Sequence, residues 1–503
     1  MTIGIDIGGT NTDGAVVGKE IRTFKVPNEI GVKGILRLIS RYVDLKNEKI
    51  VVSTSVPLNV VLTKESPTLT ILFPGPGLNY ESYGFVLRGA VNHRGDLIED
   101  VDEEELEKIL NKNRNKFSNV AIASKFSIRN PSIELKAFRV AKKFFDEKDI
   151  ALSYFISELN YPLRITTTVI NAKIKRSVHE ITYKEVLEVL KPYKCKLFFY
   201  KGDGGIIPYE VALNNPSLLY NSSQASLAVG AYFLTREKNA LVVDIGGTTT
   251  DFVEIRDGRP KIVEGVKIGD KKTLIRCVDS YSIPFGGDSL IDKDLKPFRL
   301  DKPIAFKGKF FTLTDALNCT GFEIGNYRAS REKGREIFGD LSFLEQIVDS
   351  YVERVVSCIR SFKPSKVILA GYLARYMKQL ISKRIGVKCI LPMHSEAVNA
   401  IGVAVSRISL TMYVRFDTEK GIAVYNGKIE KFEKGIIDDD LLVKIAKDRI
   451  RSEASKYDVS DKDLENIEIL YFNSYTIVRH GMPRGKIADV ILQIKPGISH
   501  DFL

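Results

Sequence analysis

The chain predicts two similar α/β domains in tandem with a smaller α+β module after them, and three observations carry that reading. A nine-residue glycine-turn motif occurs twice, strand-like and helix-like segments alternate around both copies, and from about residue 411 the pattern changes to short strands. The 503 residues, 44% of them hydrophobic, are enough for two or three cores. The expected boundaries are 1–238, 239–410 and 411–503.

The motif comes first. Residues 5–13 read IDIGGTNTD and residues 243–251 read VDIGGTTTD, identical at seven of nine positions and offset by 238. β-branched runs flank each copy, Ile3–Ile7 with Ala15–Val17 and Leu241–Ile245 with Phe252–Ile255, so each reads as strand, glycine turn, strand. Between the copies, 49–55, 68–74, 119–127, 151–157 and 196–201 are strand-like. Helical periodicity fits 31–43, 102–116 and 131–146, the last with Asn130 as N-cap and Pro131 at the first helical position. The run 224–234 (QASLAVGAYFL) places small residues at helical spacing just before the second glycine turn.

After that turn come a hairpin at Asp257-Gly258, the glycine pair Gly286-Gly287 and a helix across 343–362. Lys366–Gly371 (KVILAG) reads as a strand ending in a turn, and 396–405 (EAVNAIGVAV) as a second small-residue helix. Ala228, Gly230 and Gly402 would let the two small-residue helices cross closely as a hinge, so Gly402→Leu is expected to impair turnover more than stability. The terminal module carries an Asn426-Gly427 hairpin and two strands around the loop His480–Lys486.

Composition excludes several function classes. No apolar run reaches the roughly 20 residues of a membrane helix, and Met1 leads straight into a strand, so a cytoplasmic protein without a membrane role is expected. Cys195, Cys277, Cys319, Cys358 and Cys389 are scattered, which argues against a zinc site or a disulfide framework. The five histidines share no ligand spacing. The net charge of +12 is spread among acidic residues as on a solvated surface, so no nucleic-acid partner is expected. The densest basic stretch, 293–309, reads as a partner surface or a plain loop.

The glycine turns match neither G-x-G-x-x-G nor the P-loop spacing. Their glycines let backbone N–H groups approach an anion, and the hydroxyls of Thr10, Thr12, Thr248 and Thr250 are expected to add donors toward phosphate oxygens. Asp6 and Asp244 would repel phosphate directly but hold Mg²⁺ through water. Two such turns, one per domain, point to a nucleotide clamp. Gly286 and Gly287 offer a further backbone approach to phosphate.

In this order the motifs resemble the actin, hexokinase and heat-shock-chaperone ATPase superfamily. The resemblance implies two actin-like (ribonuclease H-like) domains around an ATP cleft. It gives two phosphate hairpins, Gly8, Gly9, Thr10, Asn11, Thr12 and Asp13 against Gly246, Gly247, Thr248, Thr249, Thr250 and Asp251. It also makes Asp6 and Asp244 catalytic metal-holding carboxylates, 224–234 and 396–405 connecting helices, and Lys366–Leu373 the adenosine turn. That turn has Ala370-Gly371-Tyr372 where the superfamily has two glycines, leaving Gly371 as its binding residue.

Longer stretches resemble the hydantoinase/oxoprolinase family, specifically its ATP-dependent N-methylhydantoinase A-like subunit. They are GIDIGGTNTDGAVV at the start, 51–64, 164–174, 201–231 and 312–322. The resemblance implies ATP-dependent hydrolysis of a cyclic amide by phosphorylation of its oxygen, with ATP and Mg²⁺ as cofactors and a B-type subunit as partner. A ketone carboxylase subunit and a non-metabolic actin-like ATPase are the alternatives. The chain departs from the family at Asn221-Ser222-Ser223-Gln224, where Ser-Gly-Pro-Ala is usual, and at 293–309, where glycine and proline are usual. Asn59, Asn171 and Asp203 are candidate substrate residues, with capping as the other reading of the asparagines.

Overall fold

The computed structural model describes residues 1–63, 67–457 and 459–503. Lys64, the last residue of the segment 51–64, lies outside the described residues. The first sheet is built from β1 (Thr2–Ile7), β2 (Asn11–Val17), β3 (Ile21–Pro27), β4 (Lys49–Thr54), β5 (Lys196–Tyr200) and β6 (Ile206–Pro208), in the order β6-β5-β4-β1-β2-β3. β1 pairs antiparallel with β2 and parallel with β4. β1 is buried on both faces, which its unbroken ThrIleGlyIleAspIle run allows.

A helix, α1 (Ser222–Thr235), leads into a second sheet of the same plan. β7 (Ala240–Ile245) pairs antiparallel with β8 (Thr250–Arg256), β8 with β9 (Ser280–Ile283), and β7 runs parallel to β10 (Lys366–Ala370). α2 (Val398–Val405) follows, entered by a short 3₁₀ turn at Ser395–Ala397. α1 and α2 cross where each has a glycine: a Cβ on Gly230 would lie 2.0 Å from the Val398 carbonyl oxygen, and one on Gly402 1.9 Å from that of Ser226. The crossing therefore tolerates no side chain at Gly402. Gly402→Leu breaks the packing itself, against the expectation of a mainly functional effect.

Residues 68–152 fold apart from the first sheet. Thr68–Phe73, Asn119–Ser124 and Ile150–Leu152 are parallel strands over their own core, centred on Ile71, Leu106, Ile122 and Ala137. The expected strand at 151–157 stops at Leu152, because Ser153–Phe155 turns as a 3₁₀ helix whose start is held by Glu134, which accepts from Ser153 Oγ at 2.5 Å and from the Tyr154 N–H at 3.0 Å. Glu134 also accepts from the Ser124 N–H at 2.7 Å, pinning the two strand ends together. The helices expected over 31–43, 102–116 and 131–146 end sooner, at Ile39, Asn113 and Ala141. Asn130 accepts from the Ser132 N–H at 3.0 Å but is not the N-cap: the helix begins at Ser132, one residue later than expected, with Pro131 in the cap position and no side-chain cap bond.

The C-terminal strands Thr411–Asp417, Ile422–Tyr425, Lys428–Lys431, Ile467–Arg479 and Met482–Ile494 form a five-stranded sheet against the helix Asp439–Ala454. Its Val414, Phe416, Val490 and Leu492 join the core of the first sheet. The loop expected at His480–Lys486 is a two-residue turn, His480-Gly481, and 482–486 continue the strand. Asp257-Gly258 and Asn426-Gly427 turn as expected, all four residues with positive φ. No helix among the described residues is long and apolar enough to cross a membrane.

Candidate functional site

Both glycine motifs are copies of one hairpin, 238 residues apart and in the same register. In the first, Asp6 pairs with Asp13 and Ile7 with Thr12; in the second, Asp244 pairs with Asp251 and Ile245 with Thr250. The turns close alike, by the Gly8 N–H on the Asn11 carbonyl at 3.0 Å and the Gly246 N–H on the Thr249 carbonyl at 3.1 Å. The tips meet: a Cβ on Gly9 would stand 3.6 Å from Thr248 Oγ1, and one on Gly247 3.3 Å from Thr10 Oγ1. Between the hairpins lies a cleft of about 580 Å³.

Sheet register extends each aspartate pair into a row of four. Ser53 of β4, Asp6, Asp13 and Lys25 of β3 stand side by side in the first sheet. Ala370 of β10, Asp244, Asp251 and Ser282 of β9 do so in the second. Like charges directly opposite on neighbouring strands are unfavourable, and the fold does it twice over one cleft.

Electrostatics register that cost. Asp6, Asp13, Asp244 and Asp251 are all raised above the ordinary carboxylate range, in each case first by enclosure away from water. Asp244 reaches about 7, with Asp251, Asp6 and Asp13 adding repulsion. Asp13 reaches about 6 although Lys25 Nζ donates to both its oxygens at 2.6 and 2.9 Å. Asp6 accepts from Ser53 and, at 2.7 Å, from Ser223 Oγ on α1. Asp251 accepts from Ser282. Lys25 is the one lysine or arginine among the described residues lining the cleft.

Of the residues singled out in the sequence, Asp6, Gly8, Gly9, Thr10, Asn11, Asp13, Asn59, Asp244, Gly246, Gly247, Thr248, Thr249, Asp251 and Gly371 line this one cleft. Asn59 Nδ2 donates to Ser55 Oγ at 3.4 Å just after β4. Gly371 has φ +91, and a Cβ there would lie 2.4 Å from the Ile245 carbonyl and 2.5 Å from Asp244 Oδ1. Glycine is what lets this turn press against the second row.

Others go elsewhere. Thr12 and Thr250 do not point at the cleft: Thr12 Oγ1 donates to Asn28 Oδ1 at 2.9 Å, and Thr250 Oγ1 to the Phe285 carbonyl at 2.8 Å. Each precedes an aspartate that faces the cleft, so strand alternation turns it inward. Gly286 and Gly287 sit behind the second hairpin, where the N–H groups of Gly287 and Asp288 take the carbonyls of Gly246 and Gly247 at 2.9 and 2.7 Å. Asn28 Nδ2 does the same for the Gly8 carbonyl at 2.9 Å. The Gly8 and Gly246 N–H groups are used in closing the turns, which leaves those of Gly9 and Gly247 for the cleft.

Asn171 is fully buried on the helix Tyr161–Glu180, donating to Asn215 Oδ1 at 2.8 Å and accepting from the Ser217 N–H at 2.7 Å. It pins a turn and is no cleft residue. Asp203 lines a different cavity. The basic stretch 293–309 packs beside the cleft: Lys302 meets Glu29 of the first half at 3.1 Å, and Arg299 meets Asp288 at 3.2 Å. Sequence reading missed Lys25 and Asn399, and it marked Ser223 and Gln224 as a departure from the family without giving either a role. Counting β2 against β3 across their turn would have found Lys25, whereas the other three arrive on α1 and α2 from far along the chain.

Two family models match the chain, that of the hydantoinase/oxoprolinase N-terminal region over residues 2–145 and that of hydantoinase/oxoprolinase over 164–326. Together they span well over half of it. Among solved structures, a nucleotide-free acetone carboxylase matches with TM-score 0.69 at 13% identity, covering 99% of this chain and 88% of that one. An ATP-dependent caprolactamase from Pseudomonas jessenii matches with TM-score 0.61 at 16% identity, covering 98% and 86%. No curated protein matches by sequence. The fold is that of two actin-like α/β domains about a cleft.

Proposed function

The chain belongs to the hydantoinase/oxoprolinase family, and on that premise we propose that it binds Mg-ATP between its hairpins and phosphorylates the carbonyl oxygen of a small cyclic amide. The single observation that carries this is the pair of facing glycine turns, each with two aspartates in the same register, meeting across one cleft. Amides resist water at neutral pH, so transfer of the γ-phosphoryl to the amide oxygen makes a leaving group and yields ADP. Water then adds to the activated carbon, the ring C–N bond breaks with the nitrogen taking a proton to leave an open-chain acyl phosphate, and a second water hydrolyses that to the carboxylate and phosphate.

The turn N–H groups of Gly9 and Gly247, with the Thr10, Thr248 and Thr249 hydroxyls, would hold the phosphate chain, while Gly8 and Gly246 let the backbone come close. Lys25 would face the transferred group from the first row and offset its charge. Gly371, with the turn it closes, would border the base. Among the described residues no group of three or more His, Cys, Asp or Glu side chains forms a metal cage. Four carboxylates with raised pKa values on two rows fit instead a divalent cation that keeps its waters. Asp6 and Asp244 would orient that water shell, and Mg²⁺ when bound supplies charge neutralisation at the phosphoryl group.

The described residues lining the cleft include no histidine or cysteine to activate water against the ring, which supports completion of the site by a B-type subunit. The likeness of fold to acetone carboxylase over 99% of the chain supports a second reading, activation of a ketone for carboxylation. The test is ADP release by the purified chain, with and without its co-purified partner, on a panel of lactams, hydantoins and ketones. Ring opening that needs both ATP and the partner is expected. Absence of Mg-ATP binding by calorimetry would sink both readings, and turnover confined to ketones would select the second.

A further inference from the structure

Among the described residues the strand Ile467–Arg479 ends the C-terminal sheet on one side, paired with Met482–Ile494 alone. Met482–Ile494 is buried from Ile487 onward, whereas Ile469, Leu470, Tyr471, Phe472, Tyr475 and Val478 of the outer strand are 38 to 57% exposed. Tyr471 and Tyr475 lie on one face of it and Phe472 on the other, so both faces are open. The pairing is irregular between Ile469 and Tyr471 and between Ile477 and Val478. Between those points 471–477 (YFNSYTI) carry no charge, glycine or proline. Charges, prolines and bulges keep a sheet edge from pairing, and this stretch has none of them.

The backbone is as open as the side chains. The Thr418 N–H donates to the Lys486 carbonyl and the Ile494 N–H to the Leu410 carbonyl, both at 2.9 Å. With the register between them unbroken, the even-numbered residues of 486–494 bond toward Thr411–Asp417 and the odd-numbered ones toward Ile467–Arg479. Asn473 stands opposite Asp489, so its N–H and C=O are used inside the sheet. Those of Phe472, Ser474 and Thr476 point outward, and none of them has a backbone partner among the described residues. An extended chain laid along this edge would meet a row of donors and acceptors.

We propose that this edge pairs with the same edge of a second copy of the chain, antiparallel about a two-fold axis through Asn473, so that the two five-stranded sheets become one. A two-fold perpendicular to a sheet sets one residue opposite its own copy, and Asn473 is the midpoint of Ile467–Arg479, which gives the longest overlap. Centred there, Tyr471 meets the partner's Tyr475 and Phe472 meets the partner's Ser474, each twice. Aromatic pairs directly across strands are stabilising. The charges choose the same direction. Glu465 and Glu468 precede the neutral run and Arg479 and Arg484 follow it, so antiparallel pairing brings each acidic end to a basic one and parallel pairing sets like against like. Glu468 also has Lys495 at 3.9 Å and Arg479 is held by Glu419, so the ends set orientation while the neutral middle supplies the contact. None of these residues lines the cleft, and the inference stands whether or not the cleft binds ATP.

The test is sedimentation of the purified full chain at tens of micromolar, where twice the mass of one chain is expected. Asn473→Lys sets two cations opposite each other on the axis and should weaken the dimer at least about tenfold. Asn473→Glu should do the same, and an equal mixture of the two variants should recover wild-type association to within about threefold, which a misfolded chain would not do. Asn473→Cys should cross-link on mild oxidation well beyond the wild type with its own cysteines, because the two Cα atoms of such a pair stand about 4.5 Å apart, within the span of a disulfide. A monomeric wild type, a dimer unchanged in Asn473→Lys, no recovery in the mixture, or no added cross-link in Asn473→Cys would each overturn the proposal. So would a co-purified chain of another kind that Asn473→Lys releases, since the edge would then serve that chain.

Discussion

The two carboxylate rows are built on one plan and finished differently. In the first, Ser53 and Lys25 flank the aspartates; in the second, Ala370 and Ser282 stand in the same register positions. The first row thus carries its own cation and hydrogen-bond donors at both ends. The second has one hydroxyl, and Gly371 closes against it. Burial is the first cause in both rows: it pushes Asp244 up to about 7, with repulsion from Asp251 next, and Asp13 to about 6 against the pull of Lys25. A duplicated motif has been kept where it makes the clamp and has diverged where one half must supply charge and the other receive it.

The comparison breaks most sharply at Asp244. Asp244→Asn should lower ATP turnover at least about 100-fold, the loss typical of removing a preorganised charge at a phosphoryl-transfer site. It should also make the ligand-free protein more stable at pH 8. A carboxyl whose folded pKa lies above its unfolded value of 3.8 adds stability that is full below about pH 4 and is lost as pH rises through about 7. Asparagine never ionises, so the variant escapes a penalty of about 2 kcal/mol after discounting for solvent contact. Thermal melts at pH 5 and pH 8, with ADP release alongside, read both effects. Equal melting shifts at the two pH values would show that Asp244 is not the titrating group.

Lys25→Ser makes the first row resemble the second. Mg-ATP affinity should fall about tenfold, or about 1.4 kcal/mol, by calorimetry. An unchanged affinity would mean that the two rows are equivalent after all.

Ser282→Lys runs the exchange the other way. A cation beside Asp251 should lower the apparent pKa of the second row by about one unit. In the wild type, Mg-ATP binding should tighten from pH 6 to pH 8 with release of a proton, because the cation needs Asp244 ionised and it is about 7 in the free protein. The variant should show the same rise at lower pH, and calorimetry in two buffers of different ionisation heat counts the protons.

The smallest effect concerns Glu29, whose exposed contact with Lys302 joins the halves at the cleft. Exposed pairs contribute little, so Glu29→Gln should leave thermal stability unchanged and shift nucleotide affinity by less than about twofold. A larger loss that shrinks at high salt, where the ion pair is screened, would make this contact a latch.

Much of this was legible before any coordinates. The glycine turns, the strands beside them and the glycines of the crossing helices are local features, set by which residues tolerate a tight turn or a close backbone approach, and they lie where the residues say. The inward turn of Thr12 and Thr250 was also in reach, since strand alternation opposes each to its neighbouring aspartate.

What only the tertiary structure decided is which distant segments share an edge or a cavity. Ser282 comes to Asp251 by strand pairing over 31 residues, and Ser223 to Asp6 by a helix 217 residues on. Asp203 and Asn59 look alike as polar residues near strands, yet one lines the cleft and the other a cavity walled in part by the C-terminal sheet. The physical reason is that local sequence sets backbone conformation and side-chain alternation, whereas the neighbours of a buried charge, and so its pKa and its use, are set by how whole sheets and helices stack to bury their apolar faces.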